Sequence, residues 1–499
     1  MHAGSASKVR VWSAIALVMT LSTVAVVSAH GERVTSEAAA PSSTPHAQAW
    51  RFVSRPDLTP PVITSTIGGD GSASLMAEGQ DVFLGPKDTN TGVTMQGEMI
   101  VDAQGNPVWV KNSGVGTFNF REQTYEGKPV LTYWDGNSTS YGHGDVAILD
   151  DTYTQIATVT TGGDLGPHQA DLHESDITPQ GTMLLTSYPE VRADLSSIGG
   201  PQNGWVLEGV AQEVDIATGA VLFEWRSLDH IPISDTFQPL TAGEGTQANP
   251  FDYFHINSVQ DDGPDQVLVS ARHTHAIYDV ARQTGSVTWQ LGGRQSSFIF
   301  GPGATFAWQH DARRQADGTI TMFDNEASPR SSRGLRLSLD MVTMIATVAA
   351  AYLPPTPRDA ATQGSVQVLS DGNVFVGWGQ EPFYSEYTGG GSLLDDETFT
   401  AGTSYRAFLD AWVGLPTTPP DAVLTRSGYT ATVYASWNGA TQVVSWRVLT
   451  GFDAADAAPV TTVPRTGFET AIPLEPPGPY VQVQALDASG SVVGSVVPR

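Results

Sequence analysis

Three histidines occupy the same position in a repeated sequence unit. His173, His255 and His310 each begin a run of β-forming residues that reaches a glycine-containing turn eight residues later. A single imidazole at the start of a strand is usually a packed residue. Three imidazoles at equivalent positions of a repeat are instead expected to lie at the same height around a common axis. Such a group can supply a nucleophile, a general acid or base, or ligands for a metal ion.

An arginine belongs with this group. Arg272 ends the strand-like segment 266–272, which follows the turn of the His255 unit. Its planar guanidinium offers a fork of donors to an oxyanion such as sulfate, phosphate or carboxylate. Three histidines alone would suit zinc or another divalent metal, but a guanidinium in the same ring repels a cation. The pattern therefore predicts an anion site with no metal and no cofactor, and a metal centre is the alternative.

The elements that must position these residues are short strands and hairpins. From residue 50 to about 412, runs of β-formers are separated by Gly, Asp, Asn and Pro, and only residues 397–408 indicate a helix. The histidine unit predicts a hairpin, and a second type of hairpin alternates with it, so that two hairpins make a four-stranded blade. The 55 residues from His255 to His310 match the length of a propeller blade. We therefore predict an all-β fold in which residues 50–415 form a six-bladed β-propeller, with seven blades as the alternative.

The sequence after residue 415 has a different pattern. A proline-rich joint, residues 416–421, is followed by short alternating strands without the histidine unit. Their spacing resembles that of a fibronectin type III or immunoglobulin-like domain. We predict a small β-sandwich over residues 416–499.

The N-terminal residues have the pattern of a secretory signal. Lys8 and Arg10 precede an apolar run, Val11–Val27, and a small-residue cleavage pattern ends at Ala29. We predict a signal peptide over residues 1–29 and a flexible tether over residues 30–49. The mature chain would then be secreted, extracellular or held in the cell envelope. A retained membrane anchor is the alternative reading.

The composition excludes several classes of function. The net charge is −27 and the chain has only four lysines, so the clustered basic residues that bind nucleic acid are missing. Removal of the signal peptide would change the net charge to −29. The chain has no cysteine, which excludes disulfides, thiolate metal sites and cysteine nucleophiles.

Several motifs, in the same order along the chain, resemble those of the arylsulfotransferase family. The resemblance spans about residues 50–412 and implies an exported six-bladed propeller that moves a sulfuryl group between phenols without a nucleotide donor. The segments 54–58 and 377–379 are similar to the branch of the family found in actinobacteria and fungi. The motifs are Asp252-Tyr-Phe-His255-Ile-Asn257, Ser270-Ala-Arg272-His273, Phe306-Ala-Trp308-Gln309-His310 and Met322-Phe-Asp324-Asn325.

The resemblance also implies roles for single residues. The histidine that matches His310 becomes sulfated in the family, and the residues that match His173, His255, Arg272 and Asn257 line the same site. On this basis His310 attacks the sulfur of the donor, and His173 transfers a proton to and from the phenol. Arg272, His255 and Asn257 hold the sulfuryl oxygens. Relatives of the enterobacterial type carry an N-terminal accessory domain and a disulfide, neither of which this sequence shows.

The expected partners are a small aryl sulfate donor and a phenolic acceptor. Trp308 and Trp378 are candidates to flank the aromatic ring, although propeller tryptophans more often pack between blades. No nucleic acid partner is expected. Two alternative functions use the same residues. One is a non-catalytic propeller that binds an anionic glycan or a protein, and the other is a lyase or hydrolase in which the histidines hold a metal.

Overall fold

The computed structural model describes residues 49–66, 79–87, 95–114, 116–138, 141–326, 331–475 and 477–499. The predicted signal peptide and almost all of the predicted tether lie outside the described residues. In the described part of the chain the fold is all-β, as predicted, because every helix is a three-residue 3-10 turn. No helix there is long and apolar enough to span a membrane.

The strands fall into three stretches of the chain. The first stretch contains β1 (Ile63–Ser65), β2 (Asp81–Lys87), β3 (Gly97–Val101), β4 (Pro107–Asn112), β5 (Phe118–Tyr125), β6 (Lys128–Ser138), β7 (Gly142–Leu149), β8 (Gln155–Val159), β9 (Ser175–Ile177), β10 (Thr182–Ser187), β11 (Glu190–Ala193), β12 (Gly204–Leu207), β13 (Val210–Asp215) and β14 (Val221–Arg226). The second contains β15 (Phe251–Asp252), β16 (Ile256–Asp261), β17 (Gln266–Ala271), β18 (Ala276–Ala281), β19 (Val287–Gly292), β20 (Ile299–Phe300), β21 (His310–Arg314), β22 (Ile320–Asp324), β23 (Arg333–Asp340), β24 (Ile345–Tyr352), β25 (Ser365–Val368), β26 (Val374–Gly377), β27 (Phe383–Tyr387), β28 (Leu393–Phe399) and β29 (Thr403–Asp410). The third contains β30 (Asp421–Ser427), β31 (Thr430–Ser436), β32 (Ser445–Gly451), β33 (Ala458–Pro464), β34 (Glu469–Leu474), β35 (Tyr480–Leu486) and β36 (Val492–Val496). The 3-10 turns are Gly163–Leu165, Ser196–Ile198, Ser227–Asp229 and Ile233–Asp235.

Six groups of four antiparallel strands follow one another along the first two stretches. They are β29-β2-β3-β4, β5-β6-β7-β8, β9-β10-β13-β14, β16-β17-β18-β19, β21-β22-β23-β24 and β25-β26-β27-β28. The last two sheets each have a fifth strand at the outer edge, β20 parallel to β24 and β1 antiparallel to β28. In the first group, β29 comes from the end of the region and pairs with β2, with Val82 opposite Leu409. Each group has one edge strand that lies close to the edge strands of neighbouring groups in most of the series. These strands are β29, β5, β9, β16, β21 and β25. These edge strands are called the inner strands below.

Apolar side chains fill the space between successive groups. In β17, Val267 and Val269 pack toward the third group, whereas Leu268 packs toward the fifth. Both faces of such a strand are buried because neighbouring groups cover each of them. The strand therefore reads in the sequence as a nearly continuous apolar run.

The third stretch forms two more sheets, β30-β31-β34 and β33-β32-β35-β36. They enclose a separate apolar cluster that includes Val433, Trp446 and Val483. The side-chain amide of Asn438 reaches Val110 in β4. Its oxygen accepts a hydrogen bond from the backbone nitrogen of Val110 at 2.9 Å, and its nitrogen donates one to the backbone oxygen of Val110 at 2.8 Å. The domain boundary after residue 415 stays a prediction.

The expected helix at 397–408 is wrong. These residues form the end of β28 and most of β29. Six of the eight residues of β29 are buried, so its apolar positions do not alternate with polar ones. A strand that is covered on both faces lacks the two-residue period that distinguishes it from a helix in the sequence.

Candidate active site

The three repeat histidines lie together at one end of the inner strands. His173 precedes β9 by two residues, His255 directly precedes β16, and His310 is the first residue of β21. The ring centres of His173 and His255 are 4.9 Å apart, and those of His255 and His310 are 6.5 Å apart. The convergence predicted from the repeat is therefore present in the structure.

Each of these imidazoles has a side-chain partner at Nδ1. The carboxylate of Asp171 accepts a hydrogen bond from His173, and Asp252 Oδ2 lies 2.5 Å from the Nδ1 of His255. The Nδ1 of His310 lies 2.7 Å from the amide oxygen Oδ1 of Asn325. Two histidines thus face carboxylates, whereas the third faces a neutral amide.

Burial sets the charge of this cluster. Burial lowers the pKa of His310 well below its usual value, and the nearby Arg272 and His255 lower it further. Burial also lowers the pKa of His255, with His173 and Arg272 adding to the effect. Both rings are therefore neutral at physiological pH.

Arg272 reaches the same place from the turn after β17. Its Nη1 lies 2.9 Å from the Nε2 of His273, and its Nη2 donates to the carbonyl of Ala361 at 2.9 Å. The guanidinium also lies over the Trp308 ring, 4.7 Å from the ring centre. Its Nε is buried and has no hydrogen-bond partner. The group is a fixed cation with donor capacity to spare.

Asp252, His255 and His273 are close enough to be considered as metal ligands, since their ligand atoms lie within 4.8 Å of one another. The Nδ1 of His273, however, donates to the backbone oxygen of Asp252 at 2.6 Å, and its Nε2 accepts from Arg272. Burial lowers the pKa of His273 to about 3, so the ring is a neutral acceptor for the guanidinium. A metal ion would have to displace these bonds and lie beside a permanent cation, and the residues do not fit one.

The remaining predicted site residues, Asn257, Trp308 and Trp378, have different surroundings. Asn257 is fully buried, and its Nδ2 donates to the carbonyl of Gln309 at 2.6 Å, one residue before His310. Trp308 packs against Arg272 and the neighbouring histidines. Trp378 lies outside the cluster, where it packs on Phe323 and donates to Ser385 at 2.7 Å. Its surroundings are those of a packing residue.

A short loop covers the histidine end. The amide N–H of Gln363 donates to the Nε2 of His310 at 3.2 Å, while the Ala361 carbonyl accepts from Arg272. Gln363 has a φ of +70°, and His255 and Trp308 have φ values of +56° and +58°. Left-handed backbone at residues other than glycine is strained and concentrates at functional sites. Residues 359–363 are called the covering loop below.

The sequence interpretation gave no role to Asp171, Asp252, Asn325 or Gln363. The spacings Asp171-x-His173 and Asp252-x-x-His255 are signals that could have identified the two carboxylates. Asn325 belongs to a motif that carried the family resemblance. Nothing in the sequence indicates that the backbone of Gln363 would meet His310, because that contact depends on the path of the covering loop.

A buried ion cluster lies beyond the histidines along the inner strands. Glu174 Oε1 is 3.0 Å from Nη1 of Arg406, both side chains are fully buried, and Arg313 donates to Glu174 Oε2 at 2.5 Å. Burial raises the pKa of Glu174, but Arg313, Arg406 and Arg121 outweigh it and lower the pKa below its usual value. The cluster connects β9, β21 and β29 directly beneath the histidines.

A cavity of about 290 Å³ lies past this cluster, at the other end of the inner strands. Its lining includes Arg121, Glu122, Arg313 and Asp410. The arginines are paired here, since Arg121 donates to Asp176 at 2.7 Å and Arg313 contacts Glu174. Burial and the charge of Asp410 raise the pKa of Glu122 to about 7.

Comparison with solved structures gives weak similarities. A Bacteroides caccae protein of unknown function is 10% identical, covers 66% of this chain and 98% of its own, and has a TM-score of 0.39. The β-propeller domain of Cps50 (Swd1) from Myceliophteria thermophila is 10% identical, with 64% and 94% covered and a TM-score of 0.32. Neither similarity carries an argument about this chain. No curated protein sequence matches it.

A family comparison is decisive. The family described as arylsulfotransferase (ASST) matches residues 121–399, which is more than half of the chain. The match includes His173, His255, Arg272 and His310. The chain therefore belongs to the arylsulfotransferase family.

Proposed function

We propose that this protein is an exported aryl sulfotransferase that moves a sulfuryl group from an aryl sulfate to a phenol through a sulfohistidine at His310. The observation that carries the proposal is the position of a neutral imidazole beside a guanidinium with spare donors, since both groups are needed to transfer an anionic group. Sulfuryl transfer resembles phosphoryl transfer, in which charge spreads over the equatorial oxygens while the entering and leaving atoms stay in line.

The proposed architecture is a six-bladed β-propeller followed by a β-sandwich. Each of the six groups of four strands would be one blade, and the pairing of β29 with β2 would close the ring. The two sheets after residue 415 would form the sandwich. The support is the order of the groups, the contacts between the inner strands and the apolar clusters between successive groups.

In the first half-reaction, the Nε2 lone pair of His310 attacks the sulfur of the donor. The N–S bond forms while the ester S–O bond breaks, and the electron pair stays on the departing phenolate oxygen. Arg272 donates to the sulfuryl oxygens in place of its bond to the Ala361 carbonyl. His255 serves as a second donor, from its Nε2, when the hydrogen-bonded pair of His255 and Asp252 carries one additional proton. Asn257 holds its neighbour Gln309 and, through it, the position of His310.

His173 moves the proton. Asp171 at Nδ1 orients the ring, and His173 protonates the departing phenolate from Nε2. In the second half-reaction the neutral ring takes a proton from the acceptor phenol, whose oxygen attacks the sulfur of the sulfohistidine. The N–S bond breaks, and the electron pair returns to His310. A double-displacement mechanism follows, with one phenol released before the next reacts.

Export is the remaining part of the proposal. It depends on the signal pattern of residues 1–29 and agrees with an aryl sulfate donor, because nucleotide sulfate donors are intracellular. The protein is then expected to act outside the cytoplasm, in the cell envelope or the medium.

The decisive experiment traps the intermediate. The purified protein is incubated with a chromogenic aryl sulfate without acceptor, quenched at alkaline pH and digested, and an 80-Da, acid-labile addition on His310 is sought by mass spectrometry. His310→Ala should lose the addition and lower acceptor-dependent phenol release by more than about 1,000-fold. The matched control His168→Ala changes an exposed histidine that pairs with Asp145 and should keep both signals.

The competing functions give different results. Phenol release that needs no acceptor and depends on a bound divalent metal would indicate a hydrolase. Binding of sulfated glycans without any turnover, with His310 unmodified, would indicate a binding protein. Either result would contradict the proposal.

A further inference from the structure

The partner of His310 differs in kind from the partners of the other two histidines. Asn325 directly follows β22 and is almost completely buried. Its Oδ1 lies 2.7 Å from the Nδ1 of His310, and the carbonyl oxygen of Trp308 lies 3.2 Å from the same nitrogen. Both neighbours of this nitrogen are acceptors, so the nitrogen must carry a hydrogen.

The orientation of the Asn325 amide is itself fixed. Its Nδ2 donates to the carbonyl of Ala360 at 2.7 Å and to that of Gln363 at 2.8 Å. A flipped amide would place Oδ1 against two carbonyl oxygens and would lose both bonds. The oxygen therefore stays on the side of His310.

The contact at the other ring nitrogen, Nε2, indicates the same position for the proton. The Nε2 of His310 accepts a hydrogen bond from the backbone N–H of Gln363 at 3.2 Å. Only an unprotonated nitrogen can accept. Two unrelated contacts thus place the proton on Nδ1 and the lone pair on Nε2.

We infer that Asn325 is the positioning residue that holds the proton of the His310 ring on Nδ1 and leaves the Nε2 lone pair directed into the site. The inference rests on the proposed function, since it concerns the group that attacks sulfur. The amide of Asn325 accepts this hydrogen bond as a neutral group, whereas the corresponding partners of His173 and His255 are the carboxyl groups of Asp171 and Asp252. The charged or titratable groups that face His310 from other elements are Arg272, His255 and His173, and a positive charge on any of them disfavours a second proton on the ring.

Asn325 also holds the covering loop through Ala360 and Gln363. The donor must displace the Gln363 N–H from Nε2 before an N–S bond can form. The same side chain therefore sets the proton position on His310 and anchors the loop that shields its lone pair.

The test uses ring-nitrogen NMR on the full chain labelled with ¹⁵N histidine, with the His310 signals assigned by their loss in His310→Ala. In the wild-type protein at neutral pH, His310 should show a protonated Nδ1 and an unprotonated Nε2. In Asn325→Ala, both nitrogen signals should move toward a mixture of the two forms. A wild-type ring with the proton on Nε2, or a fully protonated ring, would overturn the inference.

Kinetics add a second readout. Asn325→Ala should lower the rate of His310 sulfation by about 10- to 100-fold with little change in KM, because the side chain does not touch substrate. The matched control is Ser332→Ala, which removes another bond to the Ala360 carbonyl, at 3.4 Å, without contacting a histidine. Equal losses in the two variants would reduce Asn325 to a loop anchor and contradict the inference. If no donor sulfates His310, the proposed function fails, while the NMR signals still decide the assignment.

Discussion

The two ends of the inner strands carry charged groups in opposite states. At the histidine end, Arg272 is bonded to a neutral imidazole and a carbonyl, and among the described residues it forms no salt bridge, although the charge of Asp252 acts on it. At the cavity end, Arg121 and Arg313 are paired with Asp176 and Glu174. A guanidinium that is already paired with a carboxylate attracts an incoming anion less strongly. Of the two ends, the histidine end is therefore the one suited to an anion.

Burial also acts in opposite directions at the two ends. It keeps His310 neutral, which preserves a nucleophile. At the cavity end it raises the pKa of Asp410 to about 6 and that of Glu122 to about 7, which makes their ionisation unfavourable in the folded state. The same low-polarity surroundings assist chemistry at one end and reduce stability at the other.

The largest effect that tests this contrast concerns the arginines. Arg272→Lys should lower kcat/KM for sulfuryl transfer by about 100- to 1,000-fold, because an ammonium cannot replace the fork of donors toward the sulfuryl oxygens. Steady-state kinetics with one aryl sulfate donor measure the loss. Arg121→Lys is the matched change at the cavity end and should leave kcat/KM within about twofold. Similar losses in both variants would remove the distinction between the two ends.

The next effect concerns the carboxylates near His173 in the chain, Asp171 before β9 and Asp176 within it. Asp171→Asn should slow transfer from unactivated phenyl sulfates by about 10- to 100-fold, because the imidazolium of His173 loses its counter-charge. Donors with nitrophenol leaving groups need less protonation and should be affected less. Asp176→Asn, within β9, is the control and should show no dependence on the leaving group. A uniform loss across donors would contradict the role of His173 as acid.

The smallest effect is on stability and depends on pH. The folded-state pKa of Glu122 is raised from the usual 4.5 to about 7, so the stability of the fold falls as the pH rises between these two values and stays at the lower level above pH 7. Glu122→Gln removes that cost and should raise Tm at pH 8 by about 1–2 °C, after allowance for the partial solvent exposure of the side chain. Near pH 5 the wild-type carboxyl is protonated in the folded state, and the difference should shrink.

Thermal unfolding followed by circular dichroism at both pH values measures this effect. The exposed Glu190→Gln is the control and should change Tm equally at both pH values. A Glu122 variant that is less stable than wild type at pH 8 would contradict the assigned sign.

The sequence predicted the all-β fold and the convergence of the three histidines because a repeat converts chain position into spatial equivalence. His173, His255 and His310 needed no contact information to be placed together. Arg272 was identified by its location at the end of a strand that follows one of them. These are the parts of the site that local pattern and symmetry determine.

The remaining parts of the site depend on how segments that are distant in the sequence pack against each other. Gln363 meets His310 because the covering loop folds back over the inner strands, and no local pattern encodes that contact. Asn325 meets His310 because β22 pairs with β21, with Phe323 opposite His310. The helix expected at 397–408 failed because β29 is buried on both faces. Trp378 was chosen by residue type alone, and the structure places it in a packing environment away from the histidines.

The Glu174 cluster has a consequence for the movement of substrates. Its side chains fill the space between the histidine end and the cavity end, and those of Glu174 and Arg406 expose no surface. Within the described residues a phenol cannot pass through the centre from one end to the other. Under the proposed function, donor, released phenol and acceptor would therefore all reach His310 from the histidine end. A phenol that leaves slowly would then compete with the acceptor for the same site. Product release would therefore limit turnover at high product concentration.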